Sequence, residues 1–328
     1  MEERRCTIPD NRGQSPINPC GVKTMEWMDL AVFMAYGVLG IVSLLVWWVI
    51  YDYVLTPGQS VQEAIFGRQP NLAVATDLLG GLLALGILIY SVLTSPEIGD
   101  FVTDLEATAL TLLGMVVLLG VLRLGIGGFL RLWFRELRDA QGDIITINNE
   151  LFRQRNLATG LFSTSMYLVL AGGIVEEDLL NLAGYRGEAL FNMLGVWVMG
   201  MVVVLLHSWL YLGIGSANHI LHECFHDNNP AAAFSMLGLV SGMLMLNHQF
   251  LAGFESGQHM FNQPMLWAYL AGALGAVVLL RLLLQGGLAL LLGVNLRVEL
   301  VVRDNPAWGV LDGGLILVFF LIMVAVLT

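Results

Sequence analysis

Eight long apolar stretches, separated by short polar connections, dominate the chain. A helix that spans a bilayer needs roughly 20 mostly apolar residues, and each stretch comes close to that length. Hydrophobic residues make up 57% and charged residues 12% of the 328 residues, which is about half the charge of a soluble domain. The sequence therefore predicts an all-α polytopic membrane protein with about eight transmembrane helices. The predicted spans are residues 30–52, 72–94, 108–134, 157–175, 190–215, 231–252, 266–294 and 306–328.

One motif recurs in the connections that follow the odd-numbered spans. Each of these connections contains a Glu, then an Asn, then an Ala two residues after the Asn. The Glu and the Asn are six residues apart in the last three connections and eight apart in the first. Two spans in each period predict four parallel tandem two-helix repeats with pseudo-symmetry along the membrane normal. The motif residues are Glu63 and Asn71, Glu150 and Asn156, Glu223 and Asn229, and Glu299 and Asn305.

Polar segments and arginine positions divide the chain and orient it. Most arginines lie in the connections that carry the motif, so the positive-inside rule places those connections in the cytoplasm and both termini outside. The acidic segment from Ser95 to Glu106 is then an outside loop. A disulfide between Cys6 and Cys20 is compatible with that side but is left open. The predicted divisions are a polar N-terminal tail at 1–24, a first membrane half at 25–182 and a second at 183–328, each half with two repeats and four helices.

The motif residues have structural and functional interpretations. An Asn before a helix accepts hydrogen bonds from free backbone donors, so each Asn is expected to cap the helix that re-enters the membrane. The Ala and Gly residues that follow would let helices approach closely. Each Glu could pair with an arginine or join neighbouring repeats, or the four carboxylates could form an acidic ring around a cytoplasmic mouth. The nearby arginines are Arg68, Arg153 and Arg303.

A few ionisable side chains are predicted to lie inside the membrane. An ionisable residue at such depth is costly, so it normally faces a partner or water and marks a candidate functional residue. Two interior pairs are expected, Asp77 with Arg123 and Asp312 with Arg281. A functional role and simple polar stabilisation between helices both remain open. The candidates are Asp77, Arg123, His207, Arg281 and Asp312.

Residues 222–226 read HECFH, which matches the pattern H-E-x-x-H. On a helix this pattern presents two zinc ligands and a glutamate base. Together with LDGG at 311–314 it resembles the motifs of intramembrane site-2 metalloproteases. That resemblance implies Glu223 as the base and His222, His226 and Asp312 as zinc ligands. The competing interpretation is that Glu223 is only a repeat position, because a new helix starts soon after the second histidine, and that no metal binds.

The stretches YDYVLTPGQSVQEAIFGRQPNLA at 51–73 and NELFRQRNLATG at 149–160 resemble the YjfL-like family of bacterial inner-membrane proteins, known as domain of unknown function 350. The resemblance covers about residues 28–178 well, and about 185–328 follow the same plan more loosely, so the chain looks like a fused tandem double copy. It departs from the family in lacking a Gly before its Asn. The resemblance implies a bacterial inner-membrane location and a link to membrane stress, without a settled activity.

These observations favour a non-enzymatic membrane protein. It would either pass a small ion or solute between its repeats or act as a membrane-stress component that binds partners through the basic stretch 131–155. The alternative function is an intramembrane zinc metalloprotease that uses HECFH and LDGG. The expected partners are the lipid bilayer and either further copies of the chain or membrane-stress proteins, with no nucleic acid. No cofactor is expected outside the zinc alternative.

Overall fold

The computed structural model describes residues 27–94, 101–133, 144–176, 220–251 and 264–327. The predicted fifth span at 190–215 lies outside these residues, as do His207, Cys6 and Cys20. Within the described residues, all assigned elements are helical. The α-helices are α1 Trp27–Ile50, α2 Val61–Phe66, α3 Leu72–Thr94, α4 Phe101–Trp133, α5 Leu157–Glu176, α6 Ile220–Phe225, α7 Pro230–Leu251, α8 Pro264–Leu292 and α9 Pro306–Leu327. Three π-helical segments are Tyr51–Leu55, Asn149–Arg153 and Val298–Val302.

Several of these helices can cross a membrane. In the described part of the chain, four helical stretches are long and apolar enough to do so: Met34–Leu55, Leu72–Leu93, Phe101–Leu132 and Pro306–Val326. Shorter apolar helices are Leu157–Gly172, Pro230–Leu246 and Gly275–Gly287. The prediction of a helical membrane protein is confirmed.

One boundary differs from the sequence-based expectation. Ser95 to Glu106 was predicted to be a loop because of its acids, but α4 begins at Phe101 and includes Asp104 and Glu106. The Tyr36 hydroxyl in α1 donates a hydrogen bond to the Asp104 carboxylate. Acids suit a first helical turn, because the helix dipole favours negative charge there. Asp104 and Glu106 therefore lie in the helix and not in a loop, and residues 95–100 lie outside the described residues.

The second helix of each repeat begins directly after the motif Asn. These helices are α3, α5, α7 and α9, and two of them carry Pro at the first helical position, where a missing N–H costs nothing. They pack side by side in sequence order, α3 on α5, α5 on α7 and α7 on α9. These three junctions form the centre of the described fold.

The residue before the motif Asn has an unusual backbone conformation in three repeats. Arg155, Asn228 and Asp304 have φ angles of 54°, 52° and 49°. This left-handed region favours glycine, so a non-glycine residue there is strained. In the first repeat the position is Pro70, whose ring holds φ near −65°. The first repeat therefore needs another turn, which explains the two extra residues between its Glu and its Asn.

Small residues allow the row of second helices to pack closely. A Cβ added to Gly80 of α3 would overlap Thr164 of α5, and one added to Gly238 of α7 would overlap the Gly313 carbonyl of α9. Gly160 of α5 is similarly close to the backbone of Ala73 in α3. Backbones that approach this closely gain van der Waals contact and interhelical hydrogen bonds, which are what hold helices together in lipid.

Candidate functional site

Each motif Asn caps its helix, as the sequence predicts. The Oδ1 of Asn71 accepts hydrogen bonds from the backbone N–H groups of Ala73 and Val74, at 3.1 and 3.4 Å. The Oδ1 atoms of the other three accept in the same way, from Thr159 at 3.0 Å, Ala232 at 3.0 Å and Ala307 at 3.2 Å. The amide oxygen therefore satisfies helix donors in all four repeats.

The amide nitrogen of the same Asn joins one repeat to the next. Asn71 Nδ2 donates to the carbonyl of Leu151 at 2.7 Å, and Asn156 Nδ2 donates to that of Cys224 at 2.9 Å. Asn229 Nδ2 donates to the carbonyl of Leu300 at 2.7 Å. In every case the acceptor is the residue after the motif Glu of the following repeat. One side chain thus caps a helix and fixes its neighbour.

The motif Glu holds the Asn of its own repeat. Asn156 Nδ2 donates to Glu150 Oε2 at 2.9 Å, and Asn229 Nδ2 donates to Glu223 Oε2 at 2.8 Å. The corresponding bond from Asn305 to Glu299 is 3.3 Å. The six-residue spacing is what brings these side chains together, and Glu63, eight residues from its Asn, is exposed instead.

The acidic ring that the sequence left open does not fit this geometry. Glu150, Glu223 and Glu299 are 3%, 1% and 7% exposed, so they do not face a water-filled mouth. Glu299 also pairs with Arg303, one of the arginines expected from the sequence. Burial raises the pKa of the Glu223 carboxyl, the Asn229 hydrogen bond lowers it, and nearby Asp227 and Asp304 raise it further. The motif carboxylates support the junctions.

The first intramembrane pair meets in a buried polar centre. Arg123 Nε donates to Asp77 Oδ2 at 3.1 Å, and both side chains are almost fully buried. The Tyr51 hydroxyl donates to the same carboxylate oxygen at 2.6 Å. Arg123 also donates to Asn148 Oδ1 at 3.2 Å. We name Asp77, Arg123, Tyr51 and Asn148 the first polar centre.

The second pair forms a similar centre. Arg281 of α8 donates to Asp312 Oδ2 of α9 at 2.5 Å. The Ser235 hydroxyl of α7 donates to the same oxygen at 2.5 Å, and Arg281 donates to Ser235 Oγ at 3.3 Å. We name Asp312, Arg281 and Ser235 the second polar centre.

A cavity reaches the first polar centre from the side of the connections. Its volume is about 330 Å³. Arg123 and Asn148 line it, and so does Arg131, which lies two turns further along α4. Gly127 and Gly128 leave the helix surface between the two arginines open. Water or a small polar solute in this cavity can therefore approach Arg123, while Asp77 stays buried behind it.

The two histidines of HECFH lie next to the carboxylate of Asp227 and not next to that of Asp312, the expected third ligand. His222 Nδ1 lies 3.0 Å from Asp227 Oδ2, and His226 Nδ1 lies 2.8 Å from Asp227 Oδ1. Among the described residues, these three form the group whose potential ligand atoms lie within 4.8 Å of one another, and Asp312 is not in it. The expected third ligand instead belongs to the second polar centre.

The motif also does not lie on one helix. α6 ends at Phe225, so His226 falls outside it. Glu223 is 1% exposed and its Oε2 faces Asn229, whereas a catalytic base must reach a metal-bound water. His222, His226 and Asp227 could still hold a metal ion, since two imidazoles and a carboxylate are suitable zinc ligands. The arrangement required for a site-2 protease is not formed.

Three contributors were not identified from the sequence. Tyr51 carries no signal beyond its place at the end of an aromatic helix, and Asn148 lies in a connection with no repeat counterpart. Asp227 is adjacent to His226, and a search of the neighbouring residues for carboxylates would have found it.

The family comparison now has a structural context. A family model for the Domain of Unknown Function DUF350 matches residues 25–176 and 185–327. The chain belongs to the DUF350 family. The two matched regions agree with the expected tandem double copy. No curated protein and no solved structure matches the chain.

The two DUF350 copies place their carboxylate on different helices. In the first copy the acid is Asp77, six residues after Asn71, and in the second copy the equivalent residue is Ser235. The second copy has Asp312, seven residues after Asn305, where the first copy has Ser163. Each copy therefore has one arginine, one aspartate and one serine at these three positions.

Proposed function

We propose that this DUF350 protein provides a path for a small ion or solute across a bacterial inner membrane, with one polar centre in each copy. The observation that carries the proposal is the buried Asp77–Arg123 pair, whose arginine lines a cavity of about 330 Å³. An ionisable pair inside the membrane is expensive and is a functional hypothesis by default. A pair that serves only packing would need no approach for solvent.

The proposed arrangement in the membrane follows from the sequence. The two copies would provide eight spans as four parallel repeats with pseudo-symmetry along the membrane normal, and the motif connections would face the cytoplasm. The cavity that reaches Arg123 would then open to the cytoplasm. The charge of Arg123 is balanced by Asp77, so the exposed Arg131 gives the cavity wall its positive character, which raises the local concentration of anions.

The test is flux through liposomes that contain the purified protein. Proton entry would be followed with an internal pH-sensitive dye, and chloride and potassium entry with dyes for those ions. We expect Asp77→Asn and Asp312→Asn to reduce the flux by at least tenfold while the protein keeps its helical content. Glu63→Gln, at an exposed motif position, is the control and should leave the flux unchanged.

A component of a membrane-stress complex is the second candidate from the sequence. In that case none of the three ions would cross faster than in empty liposomes. The Asp77 and Asp312 variants would then lose stability alone, and partner binding would depend on basic residues such as Arg131, which is exposed. The absence of flux for all three ions, with correctly folded protein, would reject the permeation proposal.

The zinc protease alternative has its own test. Metal content would be measured for the wild type and for the His222→Ala, His226→Ala double variant. Zinc in the wild type alone would establish a metal site at the two histidines. Protease activity that disappears in Glu223→Gln would be needed to revive the enzyme proposal, and the buried position of that carboxylate argues against it.

A further inference from the structure

The three junctions of the chain repeat one set of polar contacts. Each uses the bond from the motif Asn to the carbonyl that follows the Glu of the next repeat. Two of these junctions lie within the DUF350 copies. The middle one, from Asn156 to Cys224, joins the first copy to the second. An interface between copies therefore uses the same connection as an interface within a copy.

The helix register is repeated as well. The small residue nine positions after the Asn packs on the residue eight positions after the next Asn, as Gly80 does on Thr164 and Gly238 on Gly313. The Ala two positions after the Asn packs on the residue four positions after the next Asn. This second contact joins Ala73 to Gly160 and Ala231 to Gly309. Each repeat thus has a donor face, which packs on the next repeat, and an acceptor face, which packs on the preceding one.

Among the described residues, none packs on the donor face of the last repeat. A Cβ on Gly314, nine positions after Asn305, would meet nothing within 4 Å. The other donor-face residues of α9 are exposed too, and they are the counterparts of residues of α7 that pack on α9. The exposed donor-face residues are Ala307, Val310, Leu311, Gly314 and Val318.

The hydrogen bonds of Asn305 differ from those of the other motif Asn residues in the same way, because its amide nitrogen bonds within its own repeat. The bond that the structure shows for its Nδ2 goes to Glu299 of its own repeat, at 3.3 Å. Asn156 and Asn229 each add a second bond to the following repeat, at 2.9 and 2.7 Å. Asn305 is also only partly buried, whereas both of the others are 0% exposed.

The first repeat presents an acceptor face that is partly uncovered. Leu79, eight positions after Asn71, is 54% exposed. Gly86 on the same side of α3 has nothing within 4 Å of an added Cβ. The carbonyl after the motif Glu is that of Ala64, a partly exposed residue. It accepts a hydrogen bond from the Asn71 N–H at 2.7 Å and has a second lone pair for a further donor. A leucine eight positions after the motif Asn is compatible with a junction, because the third repeat has Leu237 at that position and packs on the second repeat.

We propose that the donor face of α9 docks on the acceptor face of α3 in a second copy of this chain. In the docked pair Asn305 donates to the Ala64 carbonyl of the second copy, and Gly314 packs on its Leu79. The occupant is a second copy because the contact continues the interface that already joins the two DUF350 copies. Such a head-to-tail contact closes into a ring or extends as a row.

The physics of the bilayer supports this choice. Exposed apolar residues in a membrane face lipid, so they provide no hydrophobic drive for association. Small residues and an interhelical hydrogen bond provide it instead, and the α9 face offers both through Gly314 and Asn305. An uncovered apolar helix without these two features would be an ordinary lipid-facing surface.

Cysteine cross-linking between two tagged chains tests the register. Cys6, Cys20 and Cys224 would first be replaced by alanine. A chain with Gly314→Cys and one tag would be mixed in liposomes with a chain that has Leu79→Cys and another tag, and then oxidised. We expect a linked product that carries both tags. The control pairs Gly314→Cys with Leu110→Cys, an exposed position on α4, and should give at least tenfold less product.

The mass of the assembly gives a second measurement. In nanodiscs or detergent, the wild type should have the mass of two or more chains, and Gly314→Trp should reduce it to one. Leu110→Trp should leave the assembly intact. Because Gly314 faces open space, its variant should keep the unfolding temperature of a single chain.

Three results would overturn the proposal. One is a single-chain mass for the wild type at every lipid-to-protein ratio. Another is equal cross-linking in the correct and control pairs. The third is a different protein that co-purifies with the wild type and is lost in Gly314→Trp, which would assign the face to another partner.

Discussion

Moving the carboxylate of the first polar centre to the neighbouring helix should preserve that centre. Arg123 pairs with Asp77, while Ser163 holds the position that Asp312 holds in the second copy. Asp77→Ser alone leaves a buried arginine without a counter-charge. Breaking a buried ion pair in this way costs about 3–5 kcal/mol. Adding Ser163→Asp returns a carboxylate to the centre, in the arrangement of the second copy.

The structure sets the expected size of the rescue. Asp77 also accepts the Tyr51 hydrogen bond at 2.6 Å, which the double variant loses, and one such bond contributes about 1 kcal/mol. The double variant should therefore lie about 1 kcal/mol below the wild type. Ser163→Asp alone should be destabilised, because it adds a second buried carboxylate beside one arginine. The cycle should give a coupling energy of at least about 2–4 kcal/mol, which is the loss in Asp77→Ser minus the loss in the double variant, and any loss in Ser163→Asp adds to it.

The assay is equilibrium unfolding of the four proteins in mixed detergent micelles, with ion flux as a second readout. A double variant that is no more stable than Asp77→Ser would refute the reasoning. It would show that positions 77 and 163 do not face the same arginine. A stable double variant without flux would instead mean that the permeation path needs its acid on α3.

Three further predictions concern the junctions and connections. Gly238→Ala should lower the unfolding temperature, because α9 would have to move away by about 1 Å and overpacking costs about 1–3 kcal/mol. The control Gly114→Ala has open space around it and should raise the stability by up to about 1 kcal/mol. Equal effects of the two variants would contradict the close packing of α7 on α9. Arg155→Gly should stabilise the protein by about 0.5–1 kcal/mol, because glycine adopts a positive φ without strain. Asn228→Gly should stabilise it less, because Asn tolerates that conformation better than Arg does. Chemical unfolding of both variants would measure the difference. Because burial raises the pKa of Glu223 above its ordinary 4.5, its carboxyl is most favourable when protonated, and the stability it contributes is lost as pH rises through that raised pKa. Glu223→Gln should therefore unfold at a higher temperature than the wild type at pH 8 and show little difference at pH 4, and a gap that does not change with pH would reject this explanation.

Much of the architecture was predictable from the sequence because it depends on local physics. Long apolar stretches must be helical in a membrane, since each backbone group needs a partner within its own segment. The fixed spacing of the motif revealed the repeats, and an Asn before an apolar stretch indicated a cap. Charge and depth were sufficient to pair Asp77 with Arg123 and Asp312 with Arg281. The DUF350 family and its tandem arrangement were also evident from the repeated connections.

Other features depended on which residues meet across helices. The bonds from Asn71, Asn156 and Asn229 to the next repeat join residues about 70 to 80 positions apart, and spacing along the chain carries no information about those partners. The sequence HECFH by itself suggests a zinc-protease motif. In the fold, however, Glu223 is buried against Asn229, and α6 ends at Phe225, before the second histidine. The sequence by itself determined the described helices, the tandem double copy and the Asn caps, because these depend on neighbouring residues. Only the tertiary structure decided that the capping Asn residues also join neighbouring repeats. Their amide oxygen accepts hydrogen bonds from their own helix, and their amide nitrogen is then available to donate to a carbonyl of the next repeat.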